Sequence, residues 1–277
     1  MTGTRLGLEM TVRGGGHGVA GLAVTDDSIM LNLANLRSVV VDADALTARV
    51  GGGALWDTVL AETERYNLGL VTGLVSHTGV AGLTLGGGYG YLSRAWGLSC
   101  DALLEATVVL ASGRVVVARP DDAATEDLFW ALRGGGGNFG VVTEFVFRLR
   151  PVPETLPVTV LKWDIRSDDI LSVMTCYAQW CCSSQAPTLA SAFAILDRSY
   201  FTVIVTELTP NAKAGTLGAK VTTTEDAAGK FLGAMPVPAQ HVDRRHMTYR
   251  ALNSMFDEGN KAGQVCTHLR SAFTLLI

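Results

Sequence analysis

Glycine is spread so unevenly along this chain that its placement limits the possible folds before anything else does. Of 31 glycines, 25 fall in residues 1–150 and only 6 in residues 151–277. Many come in runs, Gly14–Gly16, Gly86–Gly88 and Gly134–Gly137. A glycine inside a helix costs about 1 kcal/mol relative to alanine, so these runs read as loops. The change in composition falls at Arg150-Pro151-Val152-Pro153, where two prolines interrupt the pattern. Two domains are expected to meet there, residues 1–150 and 151–277.

Within the first half, the stretch RGGGHG (13–18) carries the most chemistry. Three consecutive glycines leave a run of backbone N–H groups with no Cβ in the way. They also permit the positive-φ turns that aim several N–H groups at one anion. His17 adds a nitrogen nucleophile beside that run, a position suited to covalent capture of a dinucleotide cofactor. A glycine-rich turn with an incidental histidine is the competing reading of this stretch taken alone. Gly16, Gly18 and Gly21 satisfy G-x-G-x-x-G, but that mechanism needs a helix starting at the loop with its positive end on the pyrophosphate. The residues that follow, VAGLAVTDDSIMLNL, lead to a turn and a strand instead. A P-loop is excluded because neither GGGYG nor GGGGNFG runs into Lys-Ser or Lys-Thr.

Composition narrows the partners. A net charge of −4 and a pI near 5.7 argue against nucleic acid. HVDRRHMTYR (241–250) holds three arginines, but Asp243 sits among them and the stretch reads as a solvated face. The five cysteines, Cys100, Cys176, Cys181, Cys182 and Cys266, form no C-x-x-C. They read as free, buried thiols, which favours a reducing, cytoplasmic compartment. His241, His246 and His268 have no metal-ligand spacing, so no metal is expected. No signal peptide is visible, although a longer native N-terminus would leave secretion open. Tyr66–Ser93 is uncharged, but its eight glycines and His77 fit a glycine-rich cofactor loop better than a membrane helix.

The periodicity predicts an α+β chain. LEMTVR is expected to be a strand following a helix end, and it has no preceding segment to pair with. SIMLNL, SVVVDA and LTARVGG read as strands. ALWDTVLAETERY (54–66) reads as a helix with Leu55, Val59 and Leu60 on its apolar face. LLEATVVL and RVVVA form a hairpin turned by Ser112-Gly113. Asp121 and Asp122 are expected to cap a helix over 126–133 with Leu128, Phe129 and Leu132 inward. VVTEFVFRL is a further strand, and Trp130, Phe139 and Phe145 are core by default. Tyr89 and Tyr91 read as packing residues. Beyond Pro151, VTVLKW, LASAFAIL and YFTVIVTEL read as strands, with helices over DDILSVMTCYAQWCC and 246–256, an antiparallel sheet with helices.

Three segments, RGGGHG (13–18), SHTGVAGLTLGGGYG (76–90) and DLFWALRGGGGNFGVVT (127–143), occur in this order within one β-rich unit. In this the chain resembles the FAD-binding domain of the vanillyl-alcohol oxidase superfamily, the PCMH-type domain, and above all the berberine-bridge-enzyme-like oxidoreductases. The resemblance covers residues 1–150, with 151–277 more loosely similar to the family's substrate domain. It implies that Gly14, Gly15, Gly16, His17 and Gly18 cradle the FAD pyrophosphate, with Arg13 assisting, and that His17 bonds the flavin ring methyl. It implies that Ser76, His77, Thr78, Gly79 and Gly82 line the cofactor, supported by Gly86 and Gly87, and that Val142 contacts it through its backbone. Many relatives carry a second link through a cysteine, and this chain has Val75 there, so a single link is expected. Thr78 stands where oxygen access is often controlled, and it is small enough to let oxygen react. Complete relatives extend beyond both ends, so a fragment is expected.

The expected function is therefore an FAD-dependent oxidoreductase, oxidase or dehydrogenase, that takes a hydride from a small organic substrate, an alcohol, a sugar or a secondary metabolite, with molecular oxygen a candidate electron acceptor. The catalytic residue is unassigned. His77 is a candidate base, against the plainer reading of a histidine satisfied by loop carbonyls. Two other functions compete: a truncated, non-catalytic FAD-binding remnant or interaction module, and a glycine-rich structural β protein without a cofactor.

Overall fold

The computed structural model describes residues 7–164, 166–182, 189–196, 200–207, 232, 234–255 and 273–275. Two compact units result, Met1–Gly90 with Gly97–Pro151, and Tyr91–Trp96 with Val152–Ile277. The short stretch Tyr91–Trp96, which lies within the glycine-rich half of the sequence, groups with the second unit.

The first unit begins with β1 (Glu9–Arg13), which pairs in parallel with β2 (Ser28–Asn32). The expectation of an unpaired first strand is thus corrected: its backbone partner comes from downstream. The helix end expected before it lies at residues outside the described ones. Next come β3 (Val39–Asp42) and β4 (Thr47–Gly51), then helix α1 (Trp56–Glu64) and the short β5 (Leu68–Gly69). The uncharged glycine-rich segment is not loop throughout, because Val80–Leu85 closes one short helix, α2. Among the described residues no helix is long and apolar enough to cross a membrane. The hairpin β6 (Leu103–Val109) and β7 (Val115–Ala118) is followed by α3 (Glu126–Leu132), β8 (Val141–Arg148) and β9 (Arg150–Pro151), the last pairing with β5.

The central sheet has the order β3-β4-β8-β6-β7 and is antiparallel throughout. Strand side chains alternate between its two faces. Ala48, Val50, Ala106, Val108, Phe145 and Phe147 line the dry face, all fully buried. Burying a side chain the size of phenylalanine stabilises by roughly 1.5–3 kcal/mol. The wet face carries ion pairs instead. Arg49 bonds Glu144 at 2.8 Å and Arg119 bonds Glu105 at 2.7 Å.

Several local expectations change. Helix α1 turns Trp56, Val59, Leu60 and Thr63 inward, and Leu55 is only half-buried as the residue before the helix. Asp122 does not cap α3 through its side chain. Its carboxylate accepts from Ala124 in the preceding turn, and its backbone carbonyl receives the Thr125 and Glu126 N–H groups. Phe129 and Leu132 are buried on α3, while Leu128 is half-buried. Trp130 is 78% exposed and Phe139 40%. Trp130 lies one residue, about 100° of helix rotation, from the inward Phe129, so aromatic identity alone misplaces it.

In the second unit β10 (Leu156–Asp164) is followed by helix α4 (Ile170–Cys182), β11 (Leu189–Leu196), β12 (Tyr200–Glu207), β13 (His241–Met247), helix α5 (Tyr249–Ser254) and β14 (Phe273–Leu275). These strands form one antiparallel sheet ordered β13-β10-β12-β11-β14. Its core packs Val173, Tyr177 and Trp180 of α4 onto Leu161, Trp163, Phe201, Val203 and Val205. The helix expected over 246–256 is shorter, because His246 and Met247 end an edge strand. Thr248 then caps α5 by accepting the Ala251 N–H. Cys266 and His268 lie outside the described residues.

Candidate functional site

The expected site residues all belong to the first unit, so their geometry is set by that unit alone. Strand β1 delivers the chain to Arg13, whose carbonyl accepts from Leu33 at 2.9 Å. The backbone then turns through Gly14–Gly18. Gly16 has φ +74°, a conformation L side chains rarely adopt, and the Arg13 guanidinium lies against it. A Cβ on Gly15 would stand 2.3 Å from the amide nitrogen of Gly79. The first glycine loop therefore presses main chain to main chain on the loop before α2.

That second loop is stitched to the start of α1. The first N–H groups of a helix have no partner inside it, and here carbonyls of the loop supply them. Trp56 donates to Thr78 at 3.1 Å and Asp57 donates to Ser76 at 2.8 Å. In the opposite direction Val80 donates to Ala54 at 3.0 Å. Val75 and Ser76 are buried, whereas His77 and Thr78 are half-buried. Gly86 and Gly87 close the far end of α2, with Gly87 at φ +97°.

Strand β8 brings in the third segment. Gly52 donates to Thr143 at 2.8 Å, and its Cα faces the Val142 carbonyl so closely that a Cβ would stand 2.1 Å from that oxygen. Val142 itself is 2% exposed. A Cβ on Gly14 would stand 3.7 Å from the Gly52 carbonyl, so the turn Gly51–Gly53, expected only as the end of a strand, also borders the first glycine loop. Its signal was one more run of three glycines.

At the meeting of the first two loops, His17 Nε2 lies 2.6 Å from His77 Nδ1. The rings are tilted by 37° with centroids 4.6 Å apart. His77 thus meets, through Nδ1, an imidazole from sixty residues upstream in the chain. A neutral imidazole has one donor and one acceptor nitrogen, so the bond needs the two rings in complementary states.

The residues fit a flat, anionic dinucleotide. Gly18 and Gly82 have open space where a Cβ would stand, with no protein atom within 4 Å. Gly82 is nevertheless interior to α2, where alanine would stabilise an isolated helix. Protein packing accounts for Gly15 and Gly79 but not for Gly18 and Gly82, and a cofactor lying on the backbone would. Among the described residues no group of three or more His, Cys, Asp or Glu side chains is placed to hold a metal.

Comparison with known proteins finds relatives over the same region. Residues 4–119 match the family described as FAD binding domain. The chain is 37% identical over 169 residues to (R)-6-hydroxynicotine oxidase of Paenarthrobacter nicotinovorans, across 61% of this chain and 36% of that one. It is 35% identical over 184 residues to berberine bridge enzyme-like 24 of Arabidopsis thaliana, across 63% of this chain and 33% of the other. In structure it superposes on glucooligosaccharide oxidase of Acremonium strictum, a protein with 6-S-cysteinyl, 8α-N1-histidyl FAD. The TM-score is 0.79 at 24% identity, covering 93% of this chain and 52% of that one. This likeness shows the PCMH-type fold, and the chain spans about half the length of that solved neighbour.

Proposed function

We infer, from the premise that this chain belongs with the FAD-linked oxidoreductases of the vanillyl-alcohol oxidase and berberine-bridge-like group, that His17 holds the FAD through a single covalent link. The observation that carries this reading is the close contact of the glycine loops 13–18 and 75–87, where Gly15 meets Gly79 and His17 Nε2 lies 2.6 Å from His77 Nδ1. When bound, FAD supplies the hydride acceptor, and the protein supplies binding, orientation and electrostatics.

The roles of the chain's own residues follow. Gly14, Gly16 and Gly18 offer backbone N–H groups to the diphosphate, and the Arg13 guanidinium adds positive charge beside Gly16. Ser76, His77, Thr78, Gly79 and Gly82 line the cofactor, while Gly86 and Gly87 hold the turn behind them. Val75 has no nucleophile, so no second link forms on that side. A histidyl link prevents cofactor loss and withdraws electron density, which favours hydride acceptance. The whole protein oxidises a small organic substrate, an alcohol, a sugar or a secondary metabolite, and Thr78 leaves room for molecular oxygen as the electron acceptor. The second unit, with its antiparallel sheet, is assigned to the substrate.

Expressed protein tests the reading directly. Acid precipitation should leave yellow colour in the pellet, and His17→Ala should release it to the supernatant. Bleaching of the flavin spectrum on anaerobic addition of substrate should report hydride transfer. Folded but colourless protein would overturn the assignment.

A further inference from the structure

We propose that the second unit carries a binding site for an organic carboxylate, built by Lys162, Tyr200 and His241 from three neighbouring strands on the sheet face turned away from α4. Such a site goes beyond flavin attachment at His17 and does not depend on it.

Strand alternation puts the three side chains together. Trp163 and Phe201 pack into the core with α4, so their neighbours Lys162 and Tyr200 point to the opposite face. Strand β10 runs between β12 and β13, with Asp164 opposite Tyr200 and Lys162 opposite His241. The Tyr200 ring leans across β10. Lys162 Nζ lies over it, 5.8 Å from its centroid, and the His241 ring meets it edge-on at 6.0 Å. Gln240 pins this corner. Its backbone N–H donates to the Lys162 carbonyl at 2.9 Å, and its side-chain oxygen accepts from the Asp164 N–H at 2.9 Å. The backbone therefore holds His241 beside Lys162.

The charges left over on this face favour an anion. Asp164 and Asp243 share the face, and both are already paired. The Arg166 guanidinium donates to both oxygens of Asp164 at 3.1 Å, and Asp243 pairs with Arg245 at 2.5 Å. Lys162 has no carboxylate partner among the described residues. A cation over a tyrosine ring at an exposed site is a weak contact, and the ammonium keeps its N–H donors for an incoming acceptor. Even a neutral imidazole adds one more N–H, and the two oxygens of a carboxylate can accept from both groups. The half-exposed Tyr200 ring between them offers apolar contact, so an acid with an apolar body fits better than an inorganic anion. The stretch 241–250, expected only as a solvated face, thus supplies one wall of the site.

The test is an NMR titration of the full chain, isotope-labelled at histidine, near neutral pH and at low salt. The probes are benzoate, its neutral counterpart benzamide, acetate and inorganic phosphate. Benzoate should shift the His241 ring signals in a saturable way, and benzamide should bind at least tenfold more weakly. Lys162→Gln should weaken benzoate about fivefold, close to 1 kcal/mol and at the upper end for an exposed charge pair. Lys162→Arg should keep most of the binding, and Tyr200→Ala should bring benzoate down to the level of acetate. Benzamide bound by wild type as tightly as benzoate would overturn the site without recourse to any variant. So would phosphate bound more tightly than benzoate, or benzoate that moves only the His17 and His77 signals. An unchanged benzoate affinity in folded Lys162→Gln would overturn it as well.

Discussion

Gly15 and Gly79 meet main chain to main chain, so that a Cβ on either would stand 2.3 Å from the amide nitrogen of the other. Backbone atoms cannot swing aside as the end of a side chain can. Gly15→Ala and Gly79→Ala should each cost about 1–3 kcal/mol, the range for overpacking. Thermal unfolding checks this, with a fall of several degrees expected. An unchanged midpoint would mean that the two loops separate without cost.

Gly82 gives the opposite sign. It lies inside α2 with open space around its Cβ position. Gly82→Ala should stabilise the cofactor-free chain by about 0.4–1 kcal/mol through helix propensity and a less flexible unfolded state. The added methyl should at the same time weaken reversible FAD binding, measured in the His17→Ala background so that no covalent link masks it. Higher stability with unchanged FAD affinity would move the cofactor away from α2.

Phe145 and Trp130 separate core from surface. Phe145 is fully buried on the dry face of the central sheet, whereas Trp130 is 78% exposed. Phe145→Ala should cost about 3–5 kcal/mol, and Trp130→Ala should stay within about 0.5 kcal/mol. Urea denaturation of both variants provides the comparison. Equal losses would contradict the orientation of α3.

Two buried thiols set an alkaline limit. Burial raises the Cys100 thiol above its ordinary value, with repulsion from Asp101 adding to the effect, and burial likewise raises Cys181. The folded chain thus holds these protons at pH values where the unfolded chain has released them. Their contribution to stability is fully present below the ordinary thiol value near 9.0 and is lost as pH rises through the raised values. The stability gap between wild type and a Cys100→Ala, Cys181→Ala variant should therefore narrow between pH 8 and 11. A gap that widens would reverse the sign.

Much of the architecture was legible because it depends on local pattern. Alternation along LLEATVVL and VVTEFVFRL marks β6 and β8, since a half-buried strand must alternate. Helical spacing marks α1 and α4. Two of the three glycine-containing segments, 13–18 and 76–90, fall within residues 4–119, which match the FAD binding domain family, and the third, 127–143, lies beyond that match. What misled was local inference about direction. Trp130 is aromatic yet 78% exposed, and Asp122 stands before a helix yet its carboxylate accepts from Ala124 in the preceding turn.

The sequence by itself determined most element types and the presence of a histidine beside a run of bare backbone, because each is written in spacing over a few consecutive residues. Only the tertiary structure decided that β1 finds a parallel partner in β2, that Gly52 bonds Thr143 of β8, and that His77 meets Nε2 of His17. Those contacts join residues far apart in the chain. They exist because main-chain hydrogen bonds and glycine-permitted close approach bring separate loops to one point, which no local periodicity records.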